Sequence, residues 1–249
     1  MQKLKVWTRP TDRPDTFQVF WTNNPLRPGG VIDMTVLDSI DDKIVIAELR
    51  AIQYLLEERC ALGDHVIGNA HTRLTVSLGA IRKLKQGRSD KAHLTRYAEF
   101  LCTRFAGCQL EVDKDDRVFK DAPSEHAELT VSAPVLETIH VHGFGEVAVT
   151  RHVLERLAER LLPECARDPA YYVWKRLQRM AADRSVHEVS RQSGAFTRLS
   201  YQKHGQDEGR YFLNPSTNMI LVVTNNKRGR NLVTAYQADQ RFFQLPAAA

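Results

Sequence analysis

The chain has 249 residues, of which 43 % are hydrophobic and 26 % charged, with a formal net charge of +5. That length exceeds a typical domain of about 100–200 residues and that composition excludes a disordered chain, so two packed cores are expected. The longest apolar runs, at 44–47 and 219–223, fall far short of the roughly 18–20 residues that span a bilayer, and the first ten residues lack a signal-peptide core; a cytoplasmic protein with no membrane partner is expected.

In chain order, residues 1–9 and 16–23 alternate in the strand manner, with Leu4 and Val6, then Phe17, Val19 and Trp21, on one face. The segments 31–37 and 43–46 predict two further strands joined by the acidic turn 38–42, and 65–68 predicts a short one. From Ala47 the spacing of Leu49, Ile52, Leu55 and Leu56 predicts a helix up to Arg59. Ser77 is placed to cap a helix over 78–86, and Leu94, Tyr97, Ala98, Leu101 and Phe105 predict an amphipathic helix over 91–105, followed by a strand at 109–112. The charged stretch 113–126, with Pro123, is the expected connection, and 127–141 fits either domain. Beyond it, helices are predicted over 149–161 and 170–182, then strands over 196–201, 210–213, 219–224 and 232–236. The expected architecture is α+β with two domains, 1–139 and 140–249.

Cys60, Cys102, Cys108 and Cys165 show no Cys-x-x-Cys spacing and sit in apolar stretches, which points to reduced, buried thiols. Charges of both signs balance over residues 1–135, so the whole excess of positive charge falls in 136–249. A basic half fits a polyanionic partner, of which nucleic acid is the commonest; a solvated basic surface is the alternative.

In the first half, three strands, a helix opening with Ala-Glu-Leu-Arg-Ala-Ile at 47–52, and then a short strand and helices resemble the ribonuclease H family over about residues 16–135. The resemblance implies carboxylates on the first strand, at the start of the first helix and at the end of the fourth strand, together holding two Mg²⁺ ions. Glu48 suits the helix position, whereas Asn23 and Asn69 stand where acids are implied, so the domain is expected to be non-catalytic. Glu48 is equally well placed to stabilise the positive end of its helix.

In the second half, His152, Arg156 and Arg160 follow i, i+4, i+8 along the flank of the helix over 149–161. Such a ridge suits a phosphate, with arginine forks on its oxygens and histidine exchanging a proton; an amphipathic helix with glutamate–arginine pairing is the other reading. That ridge, the tryptophan-bearing helix after it, and the segments 210–214, 218–224 and 232–236 resemble the barnase/EndoU/colicin/RelE-like group of small ribonucleases over about residues 147–240. The resemblance implies two helices followed by an antiparallel sheet, and RNA cleavage without metal or other cofactor. It assigns proton transfer to His152 and charge stabilisation to Arg156 or Arg160, with Thr234 and Tyr236 on one sheet face completing the site. Tyr236 alternatively stacks a base or packs in the core. Lys175, Arg176 and Arg179 on the second helix, with Lys227, Arg228 and Arg230 in the turn 225–231, are candidate phosphate contacts. His140 and His142 alternate as on a strand but lack a third ligand, so no metal is expected.

The sequence thus predicts a nucleic-acid-binding protein, RNA favoured, whose second domain cleaves RNA without metal. The rival readings are a non-enzymatic binder or inhibitor of a nucleoprotein complex, and an adaptor whose basic ridge is buried.

Overall fold

The computed structural model describes residues 1–24, 29–64, 66–119, 123–161, 168–190, 209–226 and 229–239, and the chain divides into two compact units, Met1–Leu136 and Glu137–Ala249. It is a mixed α+β protein whose described residues form four α-helices and two six-stranded sheets, each with both parallel and antiparallel pairs. None of these helices is long and apolar enough to cross a membrane.

In the first unit, β1 (Gln2–Pro10), β2 (Thr16–Thr22) and β3 (Gly30–Val36) form an antiparallel meander. α1 (Lys43–Glu57) then crosses to β4 (Thr72–Val76), which joins β1 in parallel. β5 (Gln109–Val112) and β6 (Glu125–Val131) extend the two edges, giving the order β5-β4-β1-β2-β3-β6. Alternation puts Leu4, Val6, Val19, Ile32, Met34, Leu74 and Val76 on one face, in a core shared with Val45, Ile46, Leu49, Ile52 and Leu56 of α1. The opposite face carries the other set, including Trp7, Phe20, Asp33 and Glu128.

Several sequence expectations fail here. The β-branched run 43–46 is the first turn of α1 rather than a strand. Val45 and Ile46 continue the i, i+3, i+4 spacing of Leu49 and Ile52, and burial of that stripe overrides their strand propensity. Residues 66–68 are not a strand; the fourth strand starts at Thr72. α2 (Gly79–Lys85) has Leu78 at its N-cap and no side-chain cap, so Ser77 does not cap it. Over 91–105 there is no α-helix, only the 3-10 turns Ala92–Leu94 and Glu99–Cys102, although Leu94, Tyr97, Ala98, Leu101 and Phe105 are all buried. The expected connection contributes the 3-10 turn Arg117–Phe119 and the start of β6, so it belongs partly to the first sheet.

In the second unit the hairpin β7 (Thr138–Val141) and β8 (Gly145–Val149) precedes α3 (Arg151–Leu161) and α4 (Pro169–Ala182). β9 (His187–Val189), β10 (Arg210–Asn214), β11 (Met219–Asn226) and β12 (Gly229–Gln237) follow, and the order is β7-β8-β12-β11-β10-β9. The expected purely antiparallel sheet is corrected by β8, which pairs parallel to β12 at Asn231↔Ala148 and Leu232↔Val149. Asn214 fastens the sheet to α4: its buried amide donates to the Met180 carbonyl at 2.8 Å, and its Oδ1 accepts from the Thr217 backbone N–H at 2.9 Å. Cys60 and Cys102 are half-buried free thiols and Cys108 is a buried one. Cys165 and the strand expected over 196–201 lie outside the described residues.

Candidate nucleic-acid interface

α3 starts where β8 leaves the sheet, and Thr150 fixes the transition. Its hydroxyl donates to the Leu232 carbonyl at 3.0 Å and accepts from the Val153 N–H at 3.4 Å. Val153 and Leu157 are fully buried and His152 is exposed. Arg156 pairs with Glu159 at 2.8 Å, and Arg151 with Glu155 at 2.7 Å. Arg160 donates to the Ala235 carbonyl of β12, and its guanidinium lies 5.6 Å from the centre of the Tyr236 ring.

The ridge is therefore not a row of three available cations. One arginine is in an exposed ion pair, and the other supplies a donor to a strand edge. Arg160 and Tyr236 do meet, and Thr234 shares Tyr236's face, since Val222↔Thr234 and Ile220↔Tyr236 are neighbouring pairs. That face is apolar: Tyr236 packs against a cluster of Val189, Tyr211, Leu213, Ile220 and Val222. His152 sits eight residues before Arg160, about 12 Å along the helix axis.

α4 presents a different surface. Asp168 caps it by accepting from the Tyr171 N–H at 3.4 Å, Pro169 supplies the first turn, and Val173, Trp174, Leu177 and Met180 are buried. Its sequence, PAYYVWKRLQRMAA, contains no acid. Tyr172, Arg176 and Arg179 fall at i, i+4, i+7 on one exposed row, with Tyr172 55 % exposed. On the adjoining row the Lys175 ammonium lies 4.7 Å from the centre of the Tyr171 ring, which meets Tyr172 edge-on at 5.8 Å. Among the described residues, Lys175, Arg176 and Arg179 have no ion-pair partner.

Lys227 and Arg228 lie outside the described residues. Arg230 is exposed, donates to the Phe144 carbonyl at 3.4 Å and stacks 5.2 Å from the Phe144 ring centre. His140 is exposed and sits 3.2 Å from Glu146 across the β7–β8 hairpin.

In the first unit Glu48 lies mid-helix rather than in the first turn, and it is fully buried. Its Oε1 accepts from the Ser77 N–H at 2.7 Å and the Leu78 N–H at 3.4 Å, and its Oε2 from the Ser77 hydroxyl at 2.5 Å. Ser77 Oγ in turn accepts from the Thr8 N–H at 3.3 Å. Burial pushes the Glu48 carboxyl above the usual carboxylate range, against the pull of these donors. Asn23 follows β2, not the first strand, and donates to the Ala61 carbonyl at 2.8 Å, while Asn69 lies in the turn before β4. The positions that converge are thus Thr8 on β1, Glu48 on α1 and Ser77 after β4. Neither Thr8 nor Ser77 is an acid, and the parallel pairing of β1 with β4 that brings both to Glu48 leaves no mark in either segment alone.

Two Mg²⁺ ions do not fit this trio. One carboxylate whose lone pairs already receive three donors cannot balance two dications, and the two hydroxyl-bearing neighbours bring no charge.

The chain matches no protein-family model, no curated protein and no solved structure. It is a mixed α+β chain of two compact units with two mixed sheets.

Proposed function

We propose that the protein binds nucleic acid, RNA in the first place, through the outer face of α4, and that it does so without cleaving it. The observation that carries this reading is the α4 sequence, which contains no acid and on which Arg176 and Arg179, without an ion-pair partner among the described residues, stand beside Lys175 and two adjoining tyrosine rings. Unpaired cations release counterions when they meet phosphates, and tyrosine faces stack bases of any sequence. Arg230 adds a further exposed cation in the same unit, which also holds the chain's positive excess.

Two features argue for binding over cleavage. Arg156 and Arg160 are occupied by Glu159 and by the Ala235 carbonyl, so neither is poised for a developing phosphorane. In the first unit, the order of three strands, helix and fourth strand supports the ribonuclease H-like reading, and the trio Thr8, Glu48, Ser77 supports a silent version of it. Among the described residues of α3, exposed His152 therefore has no arginine left available beside it for phosphate.

The test is incubation of wild type and His152→Ala with labelled single-stranded RNA in EDTA, resolving bound from cleaved species. Both proteins are expected to shift the RNA and leave it intact. Cleavage by wild type that disappears in His152→Ala would replace this reading with a metal-free ribonuclease.

A further inference from the structure

The first unit's sheet brings together three metal-ligating side chains on the face opposite α1. β3 and β6 run parallel, and their register sets Asp33 beside Glu128 and Val31 beside His126. Because alternate residues share a face, Asp33, His126 and Glu128 all project from the same side. One ligand atom from each lies within 4.8 Å of the others. His126 Nε2 is 3.0 Å from Asp33 Oδ2, while Asp33 Oδ1 is buried and has no hydrogen-bond partner among the described residues. A carboxylate oxygen shielded from water and left without a donor is a cost that a cation would remove.

We propose that Asp33, His126 and Glu128 form a binding site for one divalent transition-metal ion of the Zn²⁺ class. The donor set is one imidazole nitrogen and two carboxylate oxygens, a borderline set that suits Zn²⁺ over the hard Mg²⁺ and Ca²⁺ ions. The two carboxylates balance a dication. Zinc bonds of about 2.0–2.2 Å need ligand atoms roughly 3.4 Å apart, so rotamer adjustment of the exposed Glu128 and the half-exposed His126 closes the site without moving the backbone. Three protein ligands leave a fourth position open to solvent. The ion would also tie the edge strand β6 to β3, across a pairing that spans 93 residues of sequence. The site is independent of the α4 surface.

The test is isothermal titration of the chelator-stripped, thiol-alkylated full chain with Zn²⁺, with thermal melting in parallel. Alkylation blocks the accessible thiols as competing ligands, and Cys108 is buried. One ion per chain is expected, together with a rise in melting temperature. His126→Gln, at a side chain 52 % exposed, and Asp33→Asn should each weaken binding at least about tenfold and abolish that rise. Stoichiometric binding that survives both substitutions would overturn the proposal, and so would no heat of binding in wild type at 100 µM Zn²⁺, roughly the limit of a specific protein site.

Discussion

Replacing Glu48 separates a structural role from a ligand role. Glu48→Ala removes the acceptor of three donors, two of them at 2.7 and 2.5 Å, inside a fully buried site. At about 1–3 kcal/mol for each orphaned donor, the loss should reach about 3–5 kcal/mol. Glu48→Gln keeps the shape and an acceptor for the Ser77 and Leu78 N–H groups, so it should cost less than about 1 kcal/mol at pH 7. The pH dependence supplies the sign. Because the folded carboxyl lies above its ordinary value of 4.5, the stability it contributes is complete below that pH and is lost as pH rises through the folded value. Gln titrates nothing, so Glu48→Gln should gain on wild type by up to about 1.4 kcal/mol per pH unit within that window. The assay is urea unfolding from pH 4 to 8 followed by tryptophan fluorescence, two of the three tryptophans, Trp7 and Trp21, being in this unit. A Glu48→Ala cost below about 1 kcal/mol, or a Glu48→Gln cost equal to it at every pH, would refute the reasoning.

Arg160→Ala removes the donor to the Ala235 edge carbonyl and the contact over Tyr236, so urea unfolding should show a loss of about 0.5–1 kcal/mol with RNA affinity unchanged. Asp183 accepts from the Ser185 backbone N–H, the Ser185 and Ser216 hydroxyls and the Asn214 amide, and its carboxyl is lowered to about 2. Its contribution is therefore present above pH 3.8 and lost as pH falls towards 2. Asp183→Asn should flatten acid unfolding of the second unit over that interval, as monitored by circular dichroism.

Local periodicity recovered β1, β2, β3, β5, β10, β11 and β12 and the buried faces of α1, α3 and α4, because burial of every second or every third-to-fourth residue is written in single segments, but it predicted no strand at β4 or at β6–β9. It named the buried residues of 91–105 correctly yet mistook the backbone, since 3-10 turns can bury the same residues as a helix. It took Lys43–Ile46 for a strand because β-branched residues carry strand propensity, and the packing of α1 against the sheet overrode it. Pairings between distant segments left no local trace. The parallel partners β1–β4, β3–β6 and β8–β12 decide which side chains meet, so Thr8 with Ser77 and Asp33 with His126 were illegible, and His126 was assigned to a connection. The α4 cations were legible because they lie on one helix. The α3 ridge was legible as a pattern, but the Arg160 contact with β12 was not.

The central claim is that α4 supplies the nucleic-acid surface. Its most direct test is fluorescence anisotropy of labelled single-stranded RNA over a salt series with wild type and Arg176→Ala/Arg179→Ala. Loss of two phosphate contacts should weaken binding roughly tenfold or more and make the log–log salt slope shallower by about 1.4. Unchanged affinity and slope in a folded double variant would contradict it.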